Sequence, residues 1–192
     1  MKICIFGGTF DPPHIGHLLI AQTVCEAESF DKILFTPAYL PPHKNNVTPA
    51  KNRVNMLQLA ISENPNFDIS YNEVNRKGIS YSIDTIKSVK KNLNLDKNNC
   101  YFLIGSDTLL NFHKWKNPKD ILDRCQVIVA IRPGFRPSDL EPWIMHRVHF
   151  ANIPRFEISS KTISKRWVEN KTIRYMVTLP VWEYINKKKL YK

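Results

Sequence analysis

His14 and His17 stand three residues apart, just after Gly7-Gly8-Thr9-Phe10-Asp11-Pro12-Pro13 and just before a helical pattern. That spacing puts both imidazoles on one face of a first helical turn. Gly7 and Gly8 let the backbone turn tightly and come close to a ligand. The two prolines hold the chain extended and are expected to open the helix, since proline suits a first helical position. Unpaired helix N–H groups, the positive end of the helix dipole and two imidazoles then meet at one spot. This is the chemistry of a polyphosphate site with proton-capable donors built in.

The elements that position such a site are legible as alternating patterns. Lys2-Ile3-Cys4-Ile5-Phe6 reads as a buried strand running into the glycines. Further strand-like runs occur at 33–36, 67–70, 101–104, 127–131 and 148–150. Helical faces lie between them, with Val54, Leu57 and Ile61 on one and Ile83, Ile86, Lys90 and Leu93 on another. Pro180, Val181, Tyr184 and Ile185 predict a closing helix with proline in its first turn. Strands alternating with helices predict an α/β fold, a Rossmann-like, doubly wound, mostly parallel sheet with helices on both faces. We expect a single domain over residues 1–192, with its site at the carboxyl ends of the strands.

Composition narrows the partners. Lys and Arg total 28 against 17 Asp and Glu, a formal net charge of +11, which favours an anionic partner. A nucleic-acid binder fits that excess, and so does an enzyme whose substrates all carry phosphate. Part of it, Lys187-Lys188-Lys189 and Lys192, reads as a solvated helix end. Cys4, Cys25, Cys100 and Cys125 form no C-x-x-C pair, against both a disulfide framework and a zinc site. The start is too short for a signal peptide, and no apolar run reaches the length of a membrane span. The expected compartment is the reducing cytoplasm.

Other segments carry chemistry of their own. Pro37-Ala38-Tyr39-Leu40-Pro41-Pro42-His43-Lys44 is a stiff loop delivering an imidazole and an ammonium. Ser82 reads as an N-cap, which would leave N–H groups near Asp84 and Thr85 open to an anion. Asp107, just beyond the strand ending at Gly105, suits a helix cap or a ribose hydroxyl acceptor. Ser159 and Ser160 precede a helical run, where hydroxyls and helix-start N–H groups hold phosphates.

Taken together, these motifs resemble the nucleotidyltransferase superfamily with the H-x-G-H signature, here His14-Ile15-Gly16-His17. The fuller string Gly-Gly-Thr-Phe-Asp-Pro-Pro-His is similar to the bacterial nicotinate-nucleotide adenylyltransferase family. The resemblance extends through Pro41-Pro42-His43-Lys44, Arg53 and Met56, the segment 73–85, Ile104-Gly105-Ser106-Asp107, Trp115, Arg132-Pro133-Gly134, the segment 158–166, and the C-terminal Ile173-Arg174-Tyr175 and Leu190-Tyr191. It implies adenylyl transfer from ATP to nicotinate mononucleotide, giving deamido-NAD and pyrophosphate in NAD biosynthesis. His14 and His17 are then catalytic. ATP is bound by Gly7, Gly8, Thr9, Phe10, Gly16, Gly105, Asp107, Ser159, Ser160, Lys161, Ile163 and Arg166. The mononucleotide is bound by Lys44, Ser82, Asp84, Thr85, Trp115 (stacking on the pyridine ring) and Arg132. Main-chain N–H groups at the Ser82 helix start suit a carboxylate better than an amide, whose NH2 would face other donors. Mg2+ is expected on the phosphates, with no protein ligand named.

The chain departs from the family pattern at Ser82, where threonine is usual, and at Lys161, also usually threonine. Ser164 stands where arginine is expected. Lys161, three residues before Ser164 and on its face, is the favoured replacement cation over Lys165 and Arg166. The nearest alternatives are pantetheine-phosphate and nicotinamide-mononucleotide adenylyltransferases. An RNA-binding protein or a tRNA synthetase fragment is the alternative from another class. We expect ATP and nicotinate mononucleotide as partners, with no nucleic acid and no membrane; the sequence leaves the oligomeric state open.

Overall fold

Six strands, Ile3–Gly8 (β1), Lys32–Pro37 (β2), Phe67–Ile69 (β3), Cys100–Gly105 (β4), Gln126–Ala130 (β5) and Val148–Ala151 (β6), form one sheet in the order β3-β2-β1-β4-β5-β6. The computed structural model describes every residue except His43, Arg155 and Lys192. All five strand pairs are parallel. β1 lies at the centre, with Gly7 beside Thr36 and Gly8 beside Pro37 on one side, and Ile3 to Phe6 beside Cys100 to Leu103 on the other.

Nine α-helices accompany the strands among the described residues: Ile15–Glu28 (α1), Ala50–Ile61 (α2), Asn72–Arg76 (α3), Ser82–Leu93 (α4), Ser106–Leu109 (α5), Pro118–Arg124 (α6), Pro142–Met145 (α7), Ser160–Val168 (α8) and Leu179–Lys188 (α9). Alternation along β1 divides the core. Cys4 and Phe6 join Ile20 and Val24 of α1 and Leu57 of α2 on one face. Ile5 joins Ile83, Ile86 and Val89 of α4 and Ile121 of α6 on the other. A third cluster, Met56, Ile163, Val181 and Ile185, fastens α8 and α9 to α2. The predicted doubly wound α/β fold is the observed one, and its sheet is parallel throughout.

The strand order reverses between β1 and β4. β2 and β3 follow β1 to one side, whereas β5 and β6 follow β4 to the other. Connections leaving two adjacent strands in opposite directions open a crevice at their carboxyl ends. That is where the candidate site lies.

Local details differ from the sequence expectations. Neither proline opens α1: its N-cap is His14, with extended backbone, and the helix starts at Ile15. Ser82 is the first residue of α4, and Tyr81 is the N-cap. The apolar face of α4 is Ile83, Ile86 and Val89, while Leu93 is exposed and Lys90 donates to the Arg124 carbonyl. The pieces α3, α5 and α7 are too short to show a period in sequence. All four cysteines are buried and free. No helix among the described residues is long and apolar enough to cross a membrane.

Candidate active site

A cleft of about 1150 Å³ sits over the β1/β4 switch point. Its floor is the turn Gly7-Gly8-Thr9-Phe10 leaving β1. Phe10 adopts φ +51° and is almost wholly buried, its ring edge-on to Phe6 and to His17. Gly8 makes room for that ring, since a Cβ there would lie 2.8 Å from it. The sequence therefore uses a glycine to seat an aromatic under the site as well as to turn the chain.

His14 and His17 form the next layer. Their rings stack with centroids 3.7 Å apart. The backbone N–H of His14 donates to His17 Nδ1 at 3.2 Å, so a neutral His17 carries its proton on Nε2. Burial pushes the His14 imidazole down to about 3, and the Arg132 charge adds to the effect. Burial also holds His17 well below the ordinary imidazole range, with His14, Arg132 and Lys44 contributing. Both rings are neutral at pH 7, so neither is a standing cation.

Cations come from the walls. Arg132 follows β5; its backbone N–H donates to Ser106 Oγ at 2.9 Å. Its Nε is 3.4 Å from Asp107 Oδ1, close enough to attract but not aligned for a hydrogen bond. His14 Nδ1 and Arg132 Nε are buried without a hydrogen-bond partner, and both residues line the cleft. Buried polar atoms are normally paired. Of the two unpartnered atoms, the Arg132 Nε–H is a donor and fits an anionic, oxygen-rich ligand, whereas a neutral imidazole nitrogen either donates or accepts according to its tautomer. Lys44 lines the cleft from the proline-rich loop; His43 lies outside the described residues. Gly105 and Asp107 line it from the end of β4, Ser82 from the start of α4, and Trp115 from beside Phe102 and Phe112, with which its ring packs. Ser159, Ser160 and Lys161 complete the rim at the N-terminus of α8, where Ser159 Oγ caps the Thr162 N–H at 3.1 Å.

Five of the expected site residues are placed otherwise. Gly16 is packed behind the cleft, where a Cβ would meet Ile158 at 2.5 Å and Phe156 at 2.7 Å. Its smallness serves the docking of that segment on α1. Ile163 is fully buried between α8 and α9. Arg166 turns away to the Thr172 carbonyl, with Nε at 3.4 Å and Nη2 at 3.3 Å, because it lies on the opposite side of α8 from the cleft. Thr85 is buried and donates its hydroxyl to Glu73. Asp84 pairs with Lys116 at 3.1 Å outside the lining. The N–H groups of Asp84 and Thr85 both reach the Tyr81 carbonyl, at 3.0 and 3.3 Å. The open donors of α4 are therefore those of Ser82 and Ile83, which precede the first intrahelical bonds.

The cleft also includes residues that motif reading passed over. Lys114 and Lys116 line it on either side of Trp115, and Lys116 Nζ lies 4.6 Å from the centroid of the Tyr81 ring. The Lys-Trp-Lys alternation is a signal in the sequence, but lysines flanking an aromatic are common on surfaces. Ser164, at the expected arginine position, donates to the Ser160 carbonyl at 2.9 Å and approaches the Asp11 carbonyl at 3.5 Å. Lys165 lies 3.8 Å from Glu169. Among the cations of α8, Lys161 alone lines the cleft.

Comparison with known proteins gives the family and the fold. A family model described as cytidylyltransferase-like matches residues 5–166. Nicotinate-nucleotide adenylyltransferase of Bacillus subtilis (strain 168) is 39% identical over 193 residues, covering 100% of this chain and 98% of its own. A protein named probable nicotinate-nucleotide adenylyltransferase from Moorella thermoacetica is 37% identical, covering 100% of this chain and 92% of its own. Among solved structures, Plasmodium falciparum nicotinic acid mononucleotide adenylyltransferase complexed with NaAD superposes with a TM-score of 0.78 at 21% identity, covering 99% of this chain and 97% of that one.

Two predictions come from this geometry. An unfolded histidine titrates near 6.5, whereas folded His14 stays neutral down to about 3. Below pH 6.5 the unfolded chain binds a proton that the folded chain does not, so stability falls as pH drops through that window, by about 1.4 kcal/mol per pH unit for this residue. Urea unfolding of wild type and His14→Gln between pH 7 and pH 5 measures it: wild type is expected to lose about 2 kcal/mol more than the variant over that range. The second concerns α8. Lys161→Ala is expected to raise the KM for ATP about tenfold, the scale of one charge-assisted hydrogen bond, with little change for the mononucleotide. Lys165→Ala and Arg166→Ala, compared at fixed ionic strength, are expected to leave both values near wild type.

Proposed function

The chain belongs to the cytidylyltransferase-like family and, within it, to the nicotinate-nucleotide adenylyltransferases, and from that premise we propose that it transfers the adenylyl group of ATP to nicotinate mononucleotide, giving deamido-NAD and pyrophosphate. The observation that carries the reading is the pair of neutral, stacked imidazoles beside an unpartnered Arg132 Nε over a helix N-terminus. Those donors face the place where charge builds during phosphoryl transfer.

The reaction is an in-line displacement. A phosphate oxygen of the mononucleotide bonds to the α-phosphorus of ATP, and the bond from that phosphorus to the bridging oxygen breaks, releasing pyrophosphate. No serine, cysteine or lysine is needed as a covalent nucleophile, so the protein contributes position and electrostatics. His17 donates from Nε2, and His14 supports it by fixing the tautomer through its backbone N–H. The Gly7–Thr9 turn, Ser159, Ser160 and Lys161 hold the triphosphate, and Gly105 and Asp107 hold the adenosine ribose. Lys44 and Arg132 attract the mononucleotide phosphate, and Trp115 stacks on the pyridine ring. Its carboxylate meets the Ser82 and Ile83 N–H groups, a donor set that an amide NH2 would oppose.

Magnesium enters this scheme on the substrate. Among the described residues there is no cluster of three or more carboxylate, imidazole or thiolate groups suited to a metal. Asp107, the exposed carboxylate of the cleft, faces Arg132. A magnesium ion, if bound, would be held mainly by the ATP phosphates and water and would supply charge neutralisation on the departing pyrophosphate. We also propose a single catalytic unit across residues 1–192, working without nucleic acid or membrane, and a cytoplasmic setting in keeping with four free, buried thiols.

Pyrophosphate release from ATP, measured with nicotinate mononucleotide, nicotinamide mononucleotide and phosphopantetheine, tests the reading. The nicotinate substrate is expected to lead the amide by at least about tenfold in kcat/KM, the worth of one good polar contact. Equal turnover of acid and amide would remove the carboxylate site, and preference for phosphopantetheine would remove the function. His17→Ala is expected to fold, to bind ATP and to lose about 10²–10³ in kcat, as removal of one preorganised donor does elsewhere. A near wild-type kcat would show that His17 does not serve the transition state.

A further inference from the structure

Arg53 lies in the first turns of α2, is 1% exposed, and does not line the cleft. Among the described residues no carboxylate lies within ion-pairing distance of it. Its guanidinium instead donates to three backbone carbonyls: Nη1 to Thr9 at 2.8 Å, Nη2 to Tyr39 at 3.0 Å and Nε to Thr48 at 2.7 Å. Thr9 is in the catalytic turn. Tyr39 lies near the start of the connection from β2 to α2 that carries the proline-rich loop and Lys44, and Thr48 lies near its end. A planar fork with donors in fixed directions satisfies three such acceptors at once, which an ammonium cannot do.

The Thr48 peptide is gripped on both sides. Its carbonyl faces Arg53, and its N–H donates to Asp11 Oδ2 at 2.9 Å. The other oxygen of Asp11 accepts the Tyr191 hydroxyl at 2.6 Å, from near the far end of the chain. Residues of the catalytic turn, the connection from β2 to α2 and the C-terminal segment thus share one partly buried network around the buried Arg53. Burying a charge is costly unless its hydrogen bonds are complete, and here the acceptors that complete them are site loops.

We propose that Arg53 is a positioning residue for adenylyl transfer, setting the distance between the turn that holds ATP and the loop that carries Lys44, with Tyr191 and Asp11 bracing the loop's far end. The inference rests on the adenylyl-transfer reading above. The two reacting nucleotides are held by different sides of this brace, so its loss misaligns them while leaving each side's own contacts in place. Misplacement on the order of 1 Å costs about 10²-fold in rate. The effect falls on kcat, because affinity for each nucleotide is made locally.

Steady-state kinetics of Arg53→Lys and Tyr191→Phe, with both nucleotides varied, test it. Wild-type turnover of ATP with nicotinate mononucleotide decides the underlying reading by itself; the variants decide only the brace. Arg53→Lys keeps the charge but loses the fork, and is expected to lower kcat about 10²-fold with each KM within about threefold of wild type. Tyr191→Phe removes a single hydroxyl and is expected to lower kcat about three- to tenfold with both KM values unchanged. A wild-type kcat in folded Arg53→Lys, or a loss carried mainly by KM, would overturn the proposal. Should Arg53→Lys not fold, Tyr191→Phe decides: a fall in kcat alone sustains the brace, and an unchanged kcat with only a lower melting temperature reduces the network to a structural role.

Discussion

In a sheet whose strands all run one way, each crossover helix must run back against the strands. Its N-terminus therefore lies at the edge where the preceding strand ends. In this chain β1 ends at Gly8 and α1 begins at Ile15, while β4 ends at Gly105 and α5 begins at Ser106. The reversal of strand order between β1 and β4 opens the crevice there and nowhere else along the sheet. Helix-start N–H groups, the glycine turn and the cations of the adjoining loops are thereby gathered on one small surface. Every other feature of the site depends on that gathering.

Its electrostatic consequence is a cleft lined by Lys44, Lys114, Lys116, Arg132 and Lys161, with Glu73 and Asp107 as its carboxylates. Glu73 is committed to the Thr85 hydroxyl, and burial pushes its carboxyl pKa up. Two histidines set among these five cations do not become a sixth and seventh positive charge. Burial and the neighbouring guanidinium keep them neutral, so they offer oriented N–H dipoles. A site of this kind holds phosphate groups with preformed donors, and little reorganisation is left for the moment of reaction.

The outer helical layer is tied to the same place. Ser160 Oγ donates to the Pro12 carbonyl at 2.9 Å, and the Ile15 N–H at the start of α1 donates to the Met176 carbonyl at 3.0 Å. The Tyr184 hydroxyl of α9 bonds Asn52 and Asn55 of α2 at 3.0 and 2.9 Å. The last quarter of the chain is thus fastened to the catalytic turn by polar contacts, and to α2 by the cluster of Met56, Ile163, Val181 and Ile185. Packing energy in that layer and geometry in the cleft are consequently linked: a helix that stabilises the fold also fixes the turn at the floor of the cleft.

The sequence by itself determined the class of fold and the residues at the centre of the cleft. Hydrophobic runs of strand length are local signals, and so is a Gly-Gly turn with two imidazoles at helical spacing; neither needs the rest of the chain to be read. It also placed Ser159, Ser160 and Lys161 on the cleft, because the N-cap and first turn of a helix are set by neighbours in sequence. Only the tertiary structure decided which way side chains point once helices dock. Ile163 and Arg166 share a motif with Lys161, yet one is buried against α9 and the other reaches the Thr172 carbonyl. Gly16, in the midst of the histidine motif, answers to Phe156 and Ile158, about 140 positions away in the chain. Arg53 and Tyr191 read only as matching letters in sequence. Their work lies in hydrogen bonds to carbonyls and a carboxylate that come within reach after the chain has folded, and no spacing along the chain encodes such distances.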